Sequence, residues 1–263
     1  MSVLEGIWPE EVMGYFEEIS QIPHGSFNTK EISDYLANFA KERNLKYIQD
    51  EYNNVIIFKD GSKGYENSSP VIIQGHMDMV FVKEEWVTSD VLSLKTDGKE
   101  IYAEGTSLGG DDGVALAYAL AILDSDTIAH PPLECIFTSD EEVGMLGAID
   151  MDVSMLKGKT LLNVDSQQEG IFLTGCAGGV DADCIVNISR SEIEGYVYEI
   201  AVGGLKGGHS GLDIGKHIKN ANVLLAKRLD KLRQVTDFNI IDIAGGDKIN
   251  SIPKQCVAHI VTD

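Results

Sequence analysis

The chain has 263 residues, enough for one large domain or for one domain and part of a second. Its apolar fraction of 43% is ordinary for a globular protein, and no apolar run approaches the ~20 residues that cross a bilayer. The 42 acidic side chains outnumber the 21 basic ones, and the resulting net charge of −21 argues against nucleic acid or an anionic membrane as a partner.

Helices are predicted at the start of the chain. The first follows Pro9, with Val12, Phe16 and Ile19 on one face, and the second follows Asn28, which is expected to cap it. The N-terminal residues lack the basic and apolar regions of a signal peptide, so we expect a cytoplasmic protein.

Strands and helices alternate in the next part of the chain. The predicted strands are NVIIFKD (54–60), PVIIQGHMDMV (70–80), LECIFTS (133–139) and TLLNVD (160–165), and GVALAYALAIL (113–123) is a predicted helix. This alternation predicts an α/β fold for residues 1–182, with a mostly parallel sheet flanked by helices. In such a sheet, functional residues gather at the carboxyl ends of the strands.

A second, smaller α+β domain is predicted from residue 183 to residue 263. CIVNISR and YVYEIAVGGL are expected to form antiparallel strands, and a helix is expected from about Lys216 to Leu232. INSIPKQCVAHIVTD then has the pattern of a turn and a strand. No closing feature precedes Asp263, so we expect this domain to be incomplete.

Short acidic motifs follow the predicted strands or begin the predicted helix. His76 and Asp78 in GHMDM share one face of a strand end, a pair that by itself is weak evidence for a metal site. The two aspartates of SLGGDDG (107–113) fit either a helix cap or a cation site. TSDEEVG (138–144) fits an acidic surface turn or a metal site, and NVDSQQEG (163–170) repeats the pattern with Asp165.

These motifs should meet at one edge of the sheet, although four unrelated acidic surface clusters are the alternative. Imidazole and carboxylates together suit zinc, manganese or cobalt. Two metals about 3.5–4 Å apart can activate water and polarise a carbonyl, while a spare carboxylate in TSDEE acts as general base. The sequence thus predicts a two-metal hydrolase site built on His76, Asp111, Glu142 and Asp165.

The same motifs resemble a known family over essentially the whole chain. GHMDMV, LGGDDG, DEEVGMLGA, NVDSQQEG, GCAGGVD and LKGGHSG are similar to motifs of the di-zinc metallopeptidases, which include aminoacylases, carnosinases and bacterial dipeptidases. Within that family, the chain looks most like the aminoacyl-histidine dipeptidases. The resemblance implies a two-zinc hydrolase of short peptides, Xaa-His dipeptides above all, and it is compatible with a homodimer. An N-acyl amino acid substrate and a non-catalytic metal-binding protein are the alternatives.

The resemblance also implies a role for each residue of the site. His76 and Asp165 would bind one metal, Asp111 would bridge both metals, and Glu142 would bind the second. Glu141 would be the general base that takes a proton from the bridging water. In this family, the peptide bond after the bridging aspartate is often cis.

Three further residues receive supporting roles from the resemblance. Asp78 would hydrogen-bond His76 and orient its ring, His209 in LKGGHSG would donate to the oxyanion, and Asn250 would contact substrate. The family also has a histidine ligand for the second metal near the end of a much longer chain, and no histidine here matches it. We therefore expect the N-terminal part of a longer protein, with a shortened lid domain and weak or absent peptidase activity.

Overall fold

A computed structural model describes residues 2–166, 169–176, 178, 180, 182–211 and 213–263. The chain divides into two compact units, Met1–Cys176 and Ala177–Asp263, and each has its own buried apolar core. The boundary predicted from the sequence, between residues 182 and 183, remains a prediction. Residues 167 and 168 of NVDSQQEG and residues 177, 179 and 181 of GCAGGVD lie outside the described residues.

The first unit contains a central sheet with helices packed on it. Its helices are α1 (Glu10–Ser20), α2 (Lys30–Glu42), α3 (Gly110–Asp124) and α4 (Leu146–Ile149). Its strands are β1 (Lys46–Gln49), β2 (Val55–Lys59), β3 (Val71–His76), β4 (Leu94–Thr96), β5 (Ile101–Ala103), β6 (Leu133–Thr138) and β7 (Thr160–Asn163). Strands β4 and β5 form a separate antiparallel pair.

The main sheet has the strand order β1-β2-β6-β3-β7. Strands β6, β3 and β7 are parallel to one another, and β2 is antiparallel to both β1 and β6. Four of the five strands therefore point in the same direction. The predicted α/β fold, with a mostly parallel sheet flanked by helices, is confirmed.

Alternate strand residues bury the two faces of the sheet against different parts of the chain. Ile57, Ile73 and Phe137 join the core formed with α1, α2 and α3. Their neighbours along the strands point to the opposite face, where Met151 and Leu156 are among the residues that cover them. This alternation is the consequence of the two-residue period of a strand, and it explains why these strands are largely apolar on both faces.

The first two helices largely follow the sequence pattern. Val12, Phe16 and Ile19 of α1 are buried, as predicted. The prediction that Asn28 caps α2 is wrong, because Thr29 is the residue that precedes the helix and its carbonyl accepts the N–H of Ser33 at 3.0 Å. The main-chain N–H of Asn28 instead donates to the carbonyl of Gly25 in the preceding turn.

The second unit is an antiparallel sheet covered on one face by a helix. Its elements are β8 (Tyr196–Val202), β9 (Gly208–His209), a 3-10 turn (Ile214–Lys216), α5 (Ala221–Arg233), β10 (Asn239–Gly245), β11 (Ser251–Ile252) and β12 (Cys256–Thr262). The sheet order is β10-β12-β8, and Leu225 and Leu229 of α5 are buried in its core. No helix in the described part of the chain is long and apolar enough to span a bilayer.

Two predictions for the second unit are wrong. CIVNISR (184–190) forms no strand, and its apolar side chains Ile185, Val186 and Ile188 are exposed, so burial does not stabilise an extended segment there. The helix begins at Ala221 rather than near Lys216, because the Asn220 side chain caps it by accepting the N–H of Val223.

The cysteines are free thiols, and burial separates them into two pairs. Cys135 lies within β6 and Cys256 begins β12, and both are buried. Burial raises the pKa of the Cys135 thiol to about 12, and it also raises the pKa of Cys256. Cys176 and Cys184 are exposed.

Candidate metal centre

Three neighbouring parallel strands deliver the predicted site residues to one edge of the sheet. Strand β3 ends at His76, and β6 ends at Thr138, shortly before Glu141 and Glu142. Strand β7 ends at Asn163, and Asp165 follows two residues later. Because these strands are adjacent and parallel, their carboxyl ends lie together, in agreement with the general rule for such sheets.

The side chains at this edge converge on the ring of His76. Its Nε2 lies 3.0 Å from Asp111 Oδ1, 4.0 Å from Glu141 Oε2 and 4.0 Å from Asp165 Oδ2. Ligand atoms of His76, Asp111 and Glu142 all lie within 4.8 Å of one another. The structure thus brings together the histidine and all four carboxylates that were predicted to form the centre of the site.

The other nitrogen of the His76 ring faces Asp78. Nδ1 lies 2.8 Å from the main-chain carbonyl oxygen of Asp78 and 3.6 Å from its carboxylate Oδ1. Because a carbonyl oxygen can only accept, Nδ1 carries the hydrogen, and in neutral imidazole the Nε2 lone pair points to the carboxylates. His76 therefore donates its orienting hydrogen bond to the main-chain carbonyl of Asp78 rather than to the Asp78 carboxylate.

The Asp78 carboxylate, which is buried, holds the chain that carries the two glutamates. It accepts the main-chain N–H groups of Glu141 at 2.9 Å and Glu142 at 3.3 Å, and it accepts the Ser26 hydroxyl at 2.8 Å. The pKa of Asp78 lies below its ordinary value. Burial by itself would raise this pKa, but the hydrogen bonds to the carboxylate and the neighbouring His76 outweigh the effect of burial. Ser26 was not identified from the sequence, where HGSFN gives no functional signal.

The two aspartates at the start of α3 point in different directions. The Asp111–Asp112 peptide bond is cis, as the resemblance implies. Asp112 is buried, and its Oδ2 accepts the main-chain N–H of His76 at 3.1 Å. This hydrogen bond fixes the main chain at the end of β3. Gly75 permits this close approach, since a Cβ there would lie 2.8 Å from Asp112 Oδ2. Burial raises the pKa of Asp112 to about 7.

The cluster carries more negative charge than its own residues neutralise. Burial and neighbouring carboxylates raise the pKa values of Glu141, Glu142 and Asp165. The pKa of His76 is raised to about 10. Burial by itself would lower this pKa, but the neighbouring Asp78 and Asp112 outweigh the effect of burial. Among the residues that the structure describes, none of these carboxylates pairs with Lys or Arg. One imidazole and several carboxylates therefore fit a divalent cation of the zinc class.

The two remaining predicted residues lie together in the second unit. Strand β9 pairs with β11, and the N–H of Ser210 donates to the carbonyl of Asn250 at 2.9 Å, next to His209. The N–H of His209 donates to Asp213 Oδ2, and the N–H of Gly211 donates to His209 Nδ1 at 3.1 Å. Since Nδ1 accepts, Nε2 carries the hydrogen in the neutral ring and is a hydrogen-bond donor.

Known proteins resemble the chain along nearly its whole length. The cytosol non-specific dipeptidase of Escherichia coli K12 is 36% identical over 266 residues, which cover 99% of this chain and 55% of that protein. The crystal structure of aminoacylhistidine dipeptidase from Vibrio alginolyticus has a TM-score of 0.77 and 35% identity, and the match covers 98% of this chain and 54% of that chain. A tripeptidase from Staphylococcus aureus, at 19% identity and a TM-score of 0.55, shares the fold, with 95% of this chain and 65% of that chain covered.

Two family profiles match the sequence. The chain spans about half the length of the curated relatives it matches. Residues 200–261 match the peptidase dimerisation domain. Residues 72–223, more than half of the chain, match the profile described as peptidase family M20/M25/M40. The chain therefore belongs to peptidase family M20/M25/M40.

Proposed function

We propose that the protein binds two divalent metal ions, zinc foremost, and hydrolyses the peptide bond of dipeptides. The observation that carries this proposal is the convergence of His76, Asp111 and Glu142 within 4.8 Å, with Asp165 also 4.0 Å from the ring of His76. The same donor set accepts manganese or cobalt. The family membership and the dipeptidases among the relatives support the reaction class.

Each ligand has a place in the proposed centre. His76 and Asp165 would hold one metal, Glu142 would hold the second, and Asp111 would hold both. The short distance from His76 Nε2 to Asp111 Oδ1 supports a shared metal between them. When bound, the metals lower the pKa of a water molecule and polarise the scissile carbonyl.

Glu141 is the general base of the proposed reaction. Its carboxylate lies 4.0 Å from His76 Nε2, and its main-chain N–H is held by Asp78. Burial raises its pKa, which makes the carboxylate a better proton acceptor than an exposed glutamate. Glu141 accepts a proton from the attacking water and later delivers it to the leaving amine nitrogen.

The second unit supplies groups that contact the substrate. His209 donates a hydrogen bond from Nε2 to the developing oxyanion, and the arrangement of Gly211 against Nδ1 supports that tautomer. Asn250 lies beside this histidine and contacts the peptide. The match of residues 200–261 to the peptidase dimerisation domain supports a homodimer.

The preferred substrate is a dipeptide of the Xaa-His type, supported by the name of the Vibrio alginolyticus relative. The Escherichia coli relative is called a non-specific dipeptidase of the cytosol, which supports a cytoplasmic location and admits a wider range of dipeptides. An N-acyl amino acid is the alternative substrate. A metal-binding protein without catalysis is the alternative function.

Metal content and a substrate panel test the proposal. Wild-type chain and the Glu141→Gln variant should retain the same zinc content, while the variant loses the wild type's turnover of Xaa-His dipeptides, weak as that turnover is expected to be. Wild-type turnover in Glu141→Gln would overturn the base assignment, and a chain that binds no zinc would overturn the metal centre. Preference for N-acyl amino acids, or zinc binding without any turnover, would favour the respective alternative.

A further inference from the structure

The segment of residues 139–147, here called the 139–147 loop, carries Glu141 and closes upon itself. The N–H of Gly147 donates to the carbonyl of Ser139 at 3.1 Å, and the N–H of Leu146 donates to the carbonyl of Asp140 at 3.1 Å. These hydrogen bonds join the two ends of the loop. The position of the loop therefore depends on what holds its closed base.

Asn54 contacts both ends of that base. Its Oδ1 accepts the N–H of Ser139 at 3.0 Å, and its Nδ2 donates to the carbonyl of Gly147 at 2.9 Å. The second hydrogen of Nδ2 goes to Asp50 Oδ2 at 2.7 Å. Asn54 is only 1% exposed, so the hydrogen bonds of this amide are made within the protein and removal of the side chain would leave buried groups unpaired.

The turn between β1 and β2 holds the Asn54 amide in place. Asp50 Oδ1 accepts the N–H groups of Tyr52 and Asn54, both at 2.9 Å. The hydroxyl of Ser139 donates to the carbonyl of Tyr52 at 2.6 Å, which attaches the loop to the same turn. Gly147 permits the contact, because a Cβ there would lie 2.5 Å from Asn54 Oδ1.

We propose that Asn54 is a positioning residue for the metal centre. Its amide fixes the base of the 139–147 loop, so that the two glutamates of the loop reach the centre; this role rests on the proposed function of Glu141 and Glu142. Asp78 then holds the loop near these glutamates, while Asn54 holds it where it leaves and rejoins the body of the unit.

Residue-level hydrogen exchange, measured by NMR on the metal-free chain, tests this role without any assay of activity. Asn54→Ala removes the side-chain hydrogen bonds to Ser139, Gly147 and Asp50, and Asn54→Asp keeps the shape and the acceptor for Ser139 but loses both donors. Ser62→Ala is the control, because its hydroxyl bonds the main chain of His130 at the opposite end of β6. The exchange rates of each variant are measured at the same number of degrees below its own melting temperature.

The amides of Glu141 and Glu142 should exchange about ten-fold faster in both Asn54 variants than in the wild type or Ser62→Ala, although their acceptor, Asp78, is unchanged. The zinc dissociation constant should rise about ten-fold. Unchanged exchange in Asn54→Asp, or an equal change in Ser62→Ala, would overturn the positioning role. If the wild-type chain binds no zinc, the proposed function fails, and the exchange comparison still decides the role of Asn54.

Discussion

The hydroxyl of Ser26 donates a 2.8 Å hydrogen bond to the carboxylate of Asp78, 52 residues further along the chain. That carboxylate also accepts the main-chain N–H groups of Glu141 and Glu142. A single buried acid thus connects the segment before α2, the end of β3 and the loop after β6. Its loss should disturb the centre although it is not one of the proposed ligands.

Asp78→Asn should lower the affinity for zinc about 10–100-fold. The Asn amide keeps one acceptor oxygen. Its NH₂ group replaces the other carboxylate oxygen, so that some of the N–H and O–H groups of Ser26, Glu141 and Glu142 lose their acceptor. Ser26→Ala removes one donor to the same carboxylate and should have a smaller effect. Calorimetric titration with zinc measures both variants, and wild-type affinity in Asp78→Asn would contradict the expectation.

Zinc should stabilise the folded chain, because a cation relieves the repulsion between the clustered carboxylates. At a free concentration about 100 times the dissociation constant, the gain in unfolding free energy is about 2.7 kcal/mol. A thermal melt should show the increase, and EDTA should reverse it. The His76→Ala variant should show a much smaller zinc response, and an equal response there would place the bound zinc elsewhere.

Gly75→Ala should destabilise the first unit by about 1–3 kcal/mol. A Cβ at this position would lie 2.7 Å from the Cβ of Ala115, so α3 would have to move away from β3. Gly14→Ala is the matched control, since nothing lies within 4 Å of its added Cβ inside α1. That control should gain about 0.5–1 kcal/mol from helix propensity, and urea unfolding distinguishes the two outcomes.

His259 should titrate above its ordinary pKa of 6.5, because it contacts Asp242 and Glu199 on the neighbouring strands. A raised folded-state pKa means that the imidazolium stabilises the second unit below pH 6.5, and this contribution is lost as the pH rises through the folded-state pKa. The stability difference between wild type and His259→Gln should therefore be largest in acid. An NMR titration midpoint at or below 6.5 would contradict this.

Much of the sheet follows from local patterns in the sequence. Apolar runs that end in acids or a histidine predicted β3, β6 and β7. Strands β3 and β6 are largely buried, as such runs suggest, whereas all four residues of β7 are exposed. CIVNISR has the same local character but forms no strand, whereas the equally exposed β7 is a strand because it pairs with β3. The domain boundary and the individual ligand roles remain predictions.

The supports of the site could not be predicted in the same way. Asn54 lies 85 residues from Ser139, and nothing in NVIIFKD distinguishes its buried amide from an ordinary turn asparagine. Asp112 was expected only as the second acid of SLGGDDG, yet it bonds the main chain of His76. These contacts depend on three-dimensional proximity between distant segments, and such proximity leaves no spacing rule in one sequence.

The unequal burial of the cysteines makes the chain suitable for site-selective labelling. Cys176 and Cys184 are exposed, whereas Cys135 and Cys256 are buried and their thiols resist deprotonation. A maleimide dye at neutral pH should therefore modify one position in each unit, on either side of the division after Cys176. The sequence thus provides two attachment points eight residues apart, so a dye pair there would report on the conformation of this stretch, with no engineered cysteine.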